Sequence, residues 1–256
     1  SNLKFEKNDT IVKAYKLFDS LGEPLKREQA SINIHSNLTM IDSVGCDHHL
    51  RDIYLACYLW RFIDFTRSPL PSFLMESAEQ EIQLPLALSI VKTLNDKYEA
   101  LQNKDLAGAA SLRPSTDVEN MSDGETILRK IIEPYKGRII YLDIWGTWCG
   151  PCKAALKESH KLKEALMDYD IIYLYLANHS PEESWKNTIK EYNLTGENCI
   201  HYNLPESQQE AVEHYLNVNA YPTYKLIDRQ GNIYAFDWLH ANHPGHLKEA
   251  IAKLSK

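Results

Sequence analysis

Apolar positions follow two different rhythms along this chain. Over the first 110 or so residues they recur every three to four positions, the spacing of amphipathic helices. Beyond about residue 120, short unbroken apolar runs alternate with helical stretches, the pattern of an α/β domain. In the first part, Asn8-Asp9-Thr10 offers capping residue types before Ile11, Ala14, Tyr15 and Phe18. A second helix starts near Asp47 and carries Leu50, Ile53, Tyr54, Cys57, Leu59, Trp60, Phe62 and Ile63, apolar nearly all round, which predicts a central buried helix. A third follows Pro69-Leu70-Pro71 with Met75 and Ala78, and a fourth covers 86–101. Together they predict a helical bundle or orthogonal array.

Between residues 107 and 120 the chain turns small and polar, the composition of a linker or an extended edge, and the domain boundary is placed there: 1–115 helical, 116–256 α/β. In the second part, Ser122-Asp123-Gly124-Glu125 matches a capping box opening a helix with Ile127, Leu128, Ile131 and Ile132. Residues 138–145 read as a core strand, 149–167 as a helix, 171–177 as a second central strand. Ser180 and Pro181 open a helix whose buried face is Trp185, Ile189 and Tyr192. A short helix at 208–215, a hairpin about Arg229-Gln230-Gly231-Asn232 and a terminal helix with Leu247, Ala250, Ile251 and Leu254 complete the pattern.

Composition narrows the functional classes. Of 256 residues 44% are hydrophobic and 25% charged, which excludes general disorder, and no apolar run approaches the roughly 20 residues of a membrane helix. A net charge of -7 without a Lys/Arg block argues against nucleic acid as partner. Five cysteines (Cys46, Cys57, Cys149, Cys152, Cys199) are too few for a disulfide scaffold, and their odd number leaves at least one sulfur unpaired within the monomer.

The chemistry is concentrated in Trp145-Gly146-Thr147-Trp148-Cys149-Gly150-Pro151-Cys152-Lys153, at a strand-to-helix junction. An i, i+3 spacing puts both sulfurs on one face of the first helical turn, close enough to bridge. The unpaired N–H groups and positive dipole end of the helix favour a thiolate at Cys149, lowering its pKa from about 8.5 toward roughly 3.5–7.5. Cys152, one turn inward, resolves the mixed disulfide that Cys149 forms. Pro151 suits the first turn and stiffens the loop. A zinc half-site is the alternative, but His160, His179 and His201 lack the matching spacing. A soft-metal carrier for an ion such as Cu(I), and a non-redox binding module, remain the competing function classes.

The motif resembles the active site of thioredoxins, and residues 120–256 resemble the TlpA/ResA-like thiol-disulfide oxidoreductases of bacterial envelopes, which include forms with an N-terminal helical domain. Asn219-Ala220-Tyr221-Pro222-Thr223-Tyr224, leading into Leu226-Ile227-Asp228 and Gly231, adds the family's Pro-Thr strand and turn. The resemblance implies a thioredoxin-like fold, a mixed sheet flanked by helices, and a reductase of protein disulfides. It implies a cis peptide at Pro222 that leaves the Tyr221 backbone for an extended substrate segment. Trp148, Gly150, Pro151, Tyr221 and Pro222 then form the substrate surface. Asp143, six residues before Cys149, takes the place of the family's buried acid; burial should raise its pKa so that it accepts the Cys152 proton. The family commonly bends the following helix with a proline; Ala154-Ala155-Leu156-Lys157 predicts a straighter one. No cofactor and no metal is expected. Partners are protein dithiols or disulfides and an envelope thiol reductant, in a periplasmic or cell-envelope setting, soluble or lipid-anchored.

Several weaker signals are assigned to structure. His240, His243 and His246 fall in a loop interrupted by Pro244-Gly245, Asp47 beside Cys46, His48 and His49 is a helix cap, and Cys57 is a small core residue. Cys199 is a free thiol or buried filler.

Overall fold

The computed structural model describes residue 36 and residues 39–106, 111–235 and 244–254. The helix expected at Ile11–Phe18 and the histidines at 240 and 243 lie outside them. Two units result: Ser1–Ile63 with Pro69–Asp96, and Asp64–Ser68 with Lys97–Lys256.

The first unit is built from helices α1 (His48–Thr66, its last residues belonging to the second unit), α2 (Ser72–Glu81) and the first part of α3 (Pro85–Asn103). Asp47 caps α1, its carboxylate accepting the His49 N–H at 3.0 Å. The Asp52 carboxylate accepts the N–H groups of Gln83 and Leu84 at 2.8 and 2.7 Å, at the start of α3. Leu55, Ala56, Leu59 and Ile63 of α1 are buried with Leu74 and Ala78 of α2 and Ala87 and Val91 of α3. The expectation that α1 is buried all round is corrected: Leu50, Ile53 and Trp60 are exposed. The buried residues of α1 keep to one stripe. Cys57 lies off that stripe, exposed and free, not in the core, and Cys46 is likewise exposed and free.

The second unit is a five-stranded sheet in the order β3-β2-β1-β4-β5: β1 (Ile139–Trp145), β2 (Ile171–Ala177), β3 (Cys199–Tyr202), β4 (Thr223–Ile227) and β5 (Ile233–Tyr234). β1, β2 and β3 are mutually parallel, while β4 runs antiparallel to β1 and to β5, giving the mixed sheet that the resemblance implies. Every residue of β1 and β2 is buried, so both faces of the sheet are covered. One face, with Ile140, Leu142, Ile144, Leu174 and Leu176, packs on α4 (Gly124–Ile132) and α8 (Glu206–Tyr215). These two helices approach so closely that a Cβ at Gly124 would fall 2.0 Å from the Ala211 carbonyl oxygen. The other face, with Tyr141, Trp145, Tyr173, Tyr175 and Tyr224, is covered by α5 (Gly150–Lys157), α6 (Ser159–Ala165), α7 (Glu182–Glu191) and α9 (Pro244–Leu254).

Three local readings change. The cap of α4 is Asp123, accepting the Thr126 N–H at 2.8 Å, in place of Ser122. The helix expected over 149–167 breaks at Glu158 without any proline: its N–H turns back to the Ala155 carbonyl at 3.1 Å, and its ψ of 0° ends α5 before α6 begins. Strand β3, where no strand was expected, adds a fifth to the four anticipated, and Leu112 forms a parallel bridge to its His201 beside the Arg113 N–H bond to the His201 carbonyl. Among the described residues no helix is long and apolar enough to cross a membrane.

Candidate active site

The last residues of β1 lead into a turn closed by the Cys149 N–H on the Gly146 carbonyl at 3.0 Å, and α5 starts at once. Cys149 is its N-cap: the sulfur accepts the Cys152 N–H at 3.1 Å, doing what a Ser or Asp oxygen does in other helices. Pro151 occupies the first turn, where a missing N–H costs nothing. Cys149 and Cys152 are joined by a disulfide with Cα atoms 5.2 Å apart, so the two sulfurs meet as their spacing predicts. Both are buried, while Trp148, Gly150 and Pro151 beside them are exposed.

Asp143 lies on β1 two residues before Trp145, on the sheet face that the cysteines share, and its strand partners are Tyr175 on β2 and Tyr224 on β4. It is buried, one carboxyl oxygen has no hydrogen-bond partner, and burial alone pushes its pKa up to about 8. Asp143 therefore does not face solvent. Burial likewise pushes the Tyr141 phenol well up, aided by Tyr224 and Asp143.

Tyr221-Pro222 is a cis peptide, followed directly by β4, whose Thr223 pairs with Ile144 of β1. The Tyr221 ring meets the Trp148 indole edge-on with centroids 5.2 Å apart, so the proline loop and the cysteine loop touch through their aromatic side chains. Trp148 also donates from its indole nitrogen to the Asn178 carbonyl at 3.1 Å. Gly146 is required beneath it: a Cβ there would lie 2.5 Å from the indole nitrogen. Trp145, by contrast, is wholly buried and packs.

Sequence reasoning missed the support of this rim. Ser180, expected to cap α7, makes no cap; its hydroxyl accepts the Thr147 N–H at 3.0 Å and donates to the Asn178 carbonyl at 2.9 Å. Asn178 follows β2, and its amide donates to both oxygens of Glu213 at 3.0 Å. Glu213 on α8 also accepts from Gln209 at 2.8 Å and from the Tyr221 hydroxyl at 2.7 Å. Burial, and then that hydrogen bond, push the Tyr221 phenol up. No local spacing reveals contacts between residues 8 to 35 positions apart.

Lys153, next to Cys152, contacts Asp64 at 3.3 Å, and Asp64 also accepts from Arg67 at 3.0 Å. Arg67 is buried at a positive φ of 55°, paired with Glu191 and hydrogen-bonded to the Tyr192 hydroxyl at 3.0 Å. Of the histidines weighed as metal ligands, His201 is stacked on Tyr175 and bonded to the Leu194 carbonyl at 2.7 Å, and burial lowers its pKa to about 3. Among the described residues the grouping spaced to hold an ion is the exposed His179, Glu206 and Glu210, which does not include the cysteines. Cys199 is a buried free thiol, accepting from the Lys163 ammonium at 3.1 Å.

Residues 137–233 match the family model described as thioredoxin-like. The chain is 26% identical over 102 residues to the thiol-disulfide oxidoreductase ResA of Geobacillus kaustophilus, covering 40% of this chain and 55% of that protein. The same identity and length hold for ResA of Bacillus thuringiensis, covering 40% and 56%. The chain thus spans about half the length of the curated relatives it matches. A solution structure of a thiol-disulfide oxidoreductase described as putative, from Bacteroides vulgatus, aligns at 28% identity and a TM-score of 0.40 over 48% of this chain and 78% of that one.

Proposed function

We propose that this protein, whose second unit is a TlpA/ResA-like thioredoxin-fold domain, is a thiol-disulfide oxidoreductase that reduces disulfides of other proteins. The observation that carries the reading is the Cys149–Cys152 disulfide closed across the first turn of α5. In the reduced protein the helix N-terminus favours the Cys149 thiolate. That thiolate attacks one sulfur of the client disulfide, the other leaves as a client thiolate, and a mixed disulfide joins client to Cys149. Cys152 gives its proton to Asp143 and attacks the Cys149 sulfur; the second client thiolate departs, and the intramolecular disulfide remains. With its pKa raised to about 8, Asp143 accepts that proton in its ionised form, a minority at pH 7 that grows toward pH 8, so this step should quicken as pH rises across that range.

Trp148, Gly150 and Pro151 supply the exposed surface around the sulfurs, and Tyr221 with Pro222 offers backbone to an extended client segment. An external thiol reductant returns the pair to the dithiol form; by likeness to ResA we assign both it and this protein to the cell envelope, soluble or lipid-anchored. The test is trapping with Cys152→Ser, which should accumulate a mixed disulfide through Cys149 that dithiothreitol releases. No thiol-sensitive adduct in cells, together with Cys149→Ser protein that keeps its full cellular activity, would discard a redox role and favour a binding module.

A further inference from the structure

We infer that Glu213 is a positioning residue for client binding: its buried carboxylate ties the Tyr221 phenol to the Asn178 side chain and so holds both supports of the Trp148 indole at the mouth of the dithiol. This rests on the redox reading above and adds to it the residue that shapes the docking rim.

Glu213 is 8% exposed, and a carboxylate taken out of water is expensive unless its oxygens are satisfied. Here they are satisfied from three directions. Gln209 donates from one turn earlier on the same helix, Asn178 from the segment after β2, and Tyr221 from the loop that ends in the cis-proline. If the only task were to pin α8 to the sheet, aliphatic packing would serve at lower cost, as Val212 beside it does. The two partners outside α8 have one thing in common. Tyr221 presents its ring to Trp148, and Asn178 presents its carbonyl to the Trp148 indole nitrogen.

Trp148 is a large aromatic side chain that the rim exposes, 40% open to solvent and next to Cys149. With Gly146 beneath it, Asn178 at its nitrogen and Tyr221 at its edge, the indole is fixed without being buried. A fixed exposed aromatic beside an open backbone segment is the form of a peptide-docking wall, and its rigidity lowers the ordering cost of binding. A small disulfide reagent reaches the sulfur without using that wall; an extended client segment does not.

The experiment compares two probes on one set of variants: insulin, with dithiothreitol as reductant, and 5,5′-dithiobis(2-nitrobenzoate) added to the reduced protein. Glu213→Ala should lower kcat/KM for insulin about tenfold, chiefly through KM, with a drop at least fivefold smaller for the reagent. Glu213→Gln keeps an acceptor for Asn178 and Gln209 and can donate to the Tyr221 oxygen, so it should recover to within about threefold of the parent. Equal losses with both probes, or no loss with insulin, would overturn the inference. Should Glu213→Ala fail to fold by its denaturant midpoint, Tyr221→Phe keeps the ring and removes only the bond; it should raise the insulin KM about threefold, and an unchanged KM overturns the inference equally. A parent protein inert toward both probes would remove the redox reading itself, and this inference with it; an active parent with unaltered variants removes this inference alone.

Discussion

The two faces of the central sheet are made of the same strands and have opposite chemistry. Alternate residues of β1, β2 and β4 send Ile140, Leu142, Ile144, Ile172, Leu174, Leu176 and Ile227 to one side, an aliphatic layer against α4 and α8. The intervening positions send Tyr141, Asp143, Trp145, Tyr173, Tyr175 and Tyr224 to the other, where the cysteines, His201 and Cys199 also lie. Strand side chains with buried polar atoms lacking hydrogen-bond partners lie on this second side: an oxygen of Asp143, the Tyr141 hydroxyl, the Trp145 indole nitrogen and Nδ1 of His201, whereas over the first side the unpaired amide oxygens of Gln208 and Gln209 belong to helix α8 and not to the strands. Polar groups of that kind weaken a fold. One face therefore supplies cohesion and the other chemistry, and the strand pleat keeps them apart.

This division can be broken from either side. The largest effect should come from Asp143. Its folded pKa of about 8 stands well above the ordinary aspartate value of 3.8. Protons bound by the native state and not by the unfolded one make stability fall as pH rises from about 4 to 8, by on the order of 5 kcal/mol. Asp143→Asn should flatten that fall in denaturant titrations across pH 4–9 while slowing release of the trapped client; a variant that loses stability with pH as the parent does would refute the assignment. Next, Leu174→Ala on the aliphatic face should cost about 3 kcal/mol in urea unfolding yet leave thiol exchange with a small disulfide within about twofold of the parent. If exchange collapsed in step with stability, the faces would not be separable.

His201 gives a third effect of opposite sign. Its folded pKa of about 3 lies below 6.5, so the unfolded state gains a proton first and stability falls as pH drops from 6.5 toward 3, by about 3 kcal/mol at pH 4. His201→Phe should remove this acid sensitivity, read from melting temperatures between pH 4 and 7. The smallest change expected is at Gly146→Ala, which displaces the Trp148 indole and should cost about 1–2 kcal/mol, with a visible change in tryptophan emission.

What the sequence made legible follows the same line. The cysteine pair is readable from short-range spacing, one turn of helix at a strand-to-helix junction, whereas the buried acid at Asp143 and the cis peptide at Pro222 are expected from the resemblance to thioredoxins; Asp143 is buried and the Tyr221-Pro222 bond is cis. The strands β1 and β2 were readable as apolar runs, β2 at both ends and β1 to within one residue of its start. Glu213, Asn178 and Ser180 were not, because each acts on a partner 33 to 35 positions away, and Ser180 had a plausible local use as a cap that the fold declined. The break at Glu158 was hidden because the bend uses a turned backbone N–H and no residue that announces it. Cys57 was misplaced because an apolar helix reads as buried until the one-sided stripe of its buried residues is seen.

The bridge between Cys149 and Cys152 spans three positions along the chain. Because so tight a ring removes little freedom from an unfolded polypeptide, by about 2 kcal/mol on the chain-entropy relation, cutting it subtracts little from the whole. Such a clasp can be opened and shut at each turnover while the scaffold that carries it stays assembled.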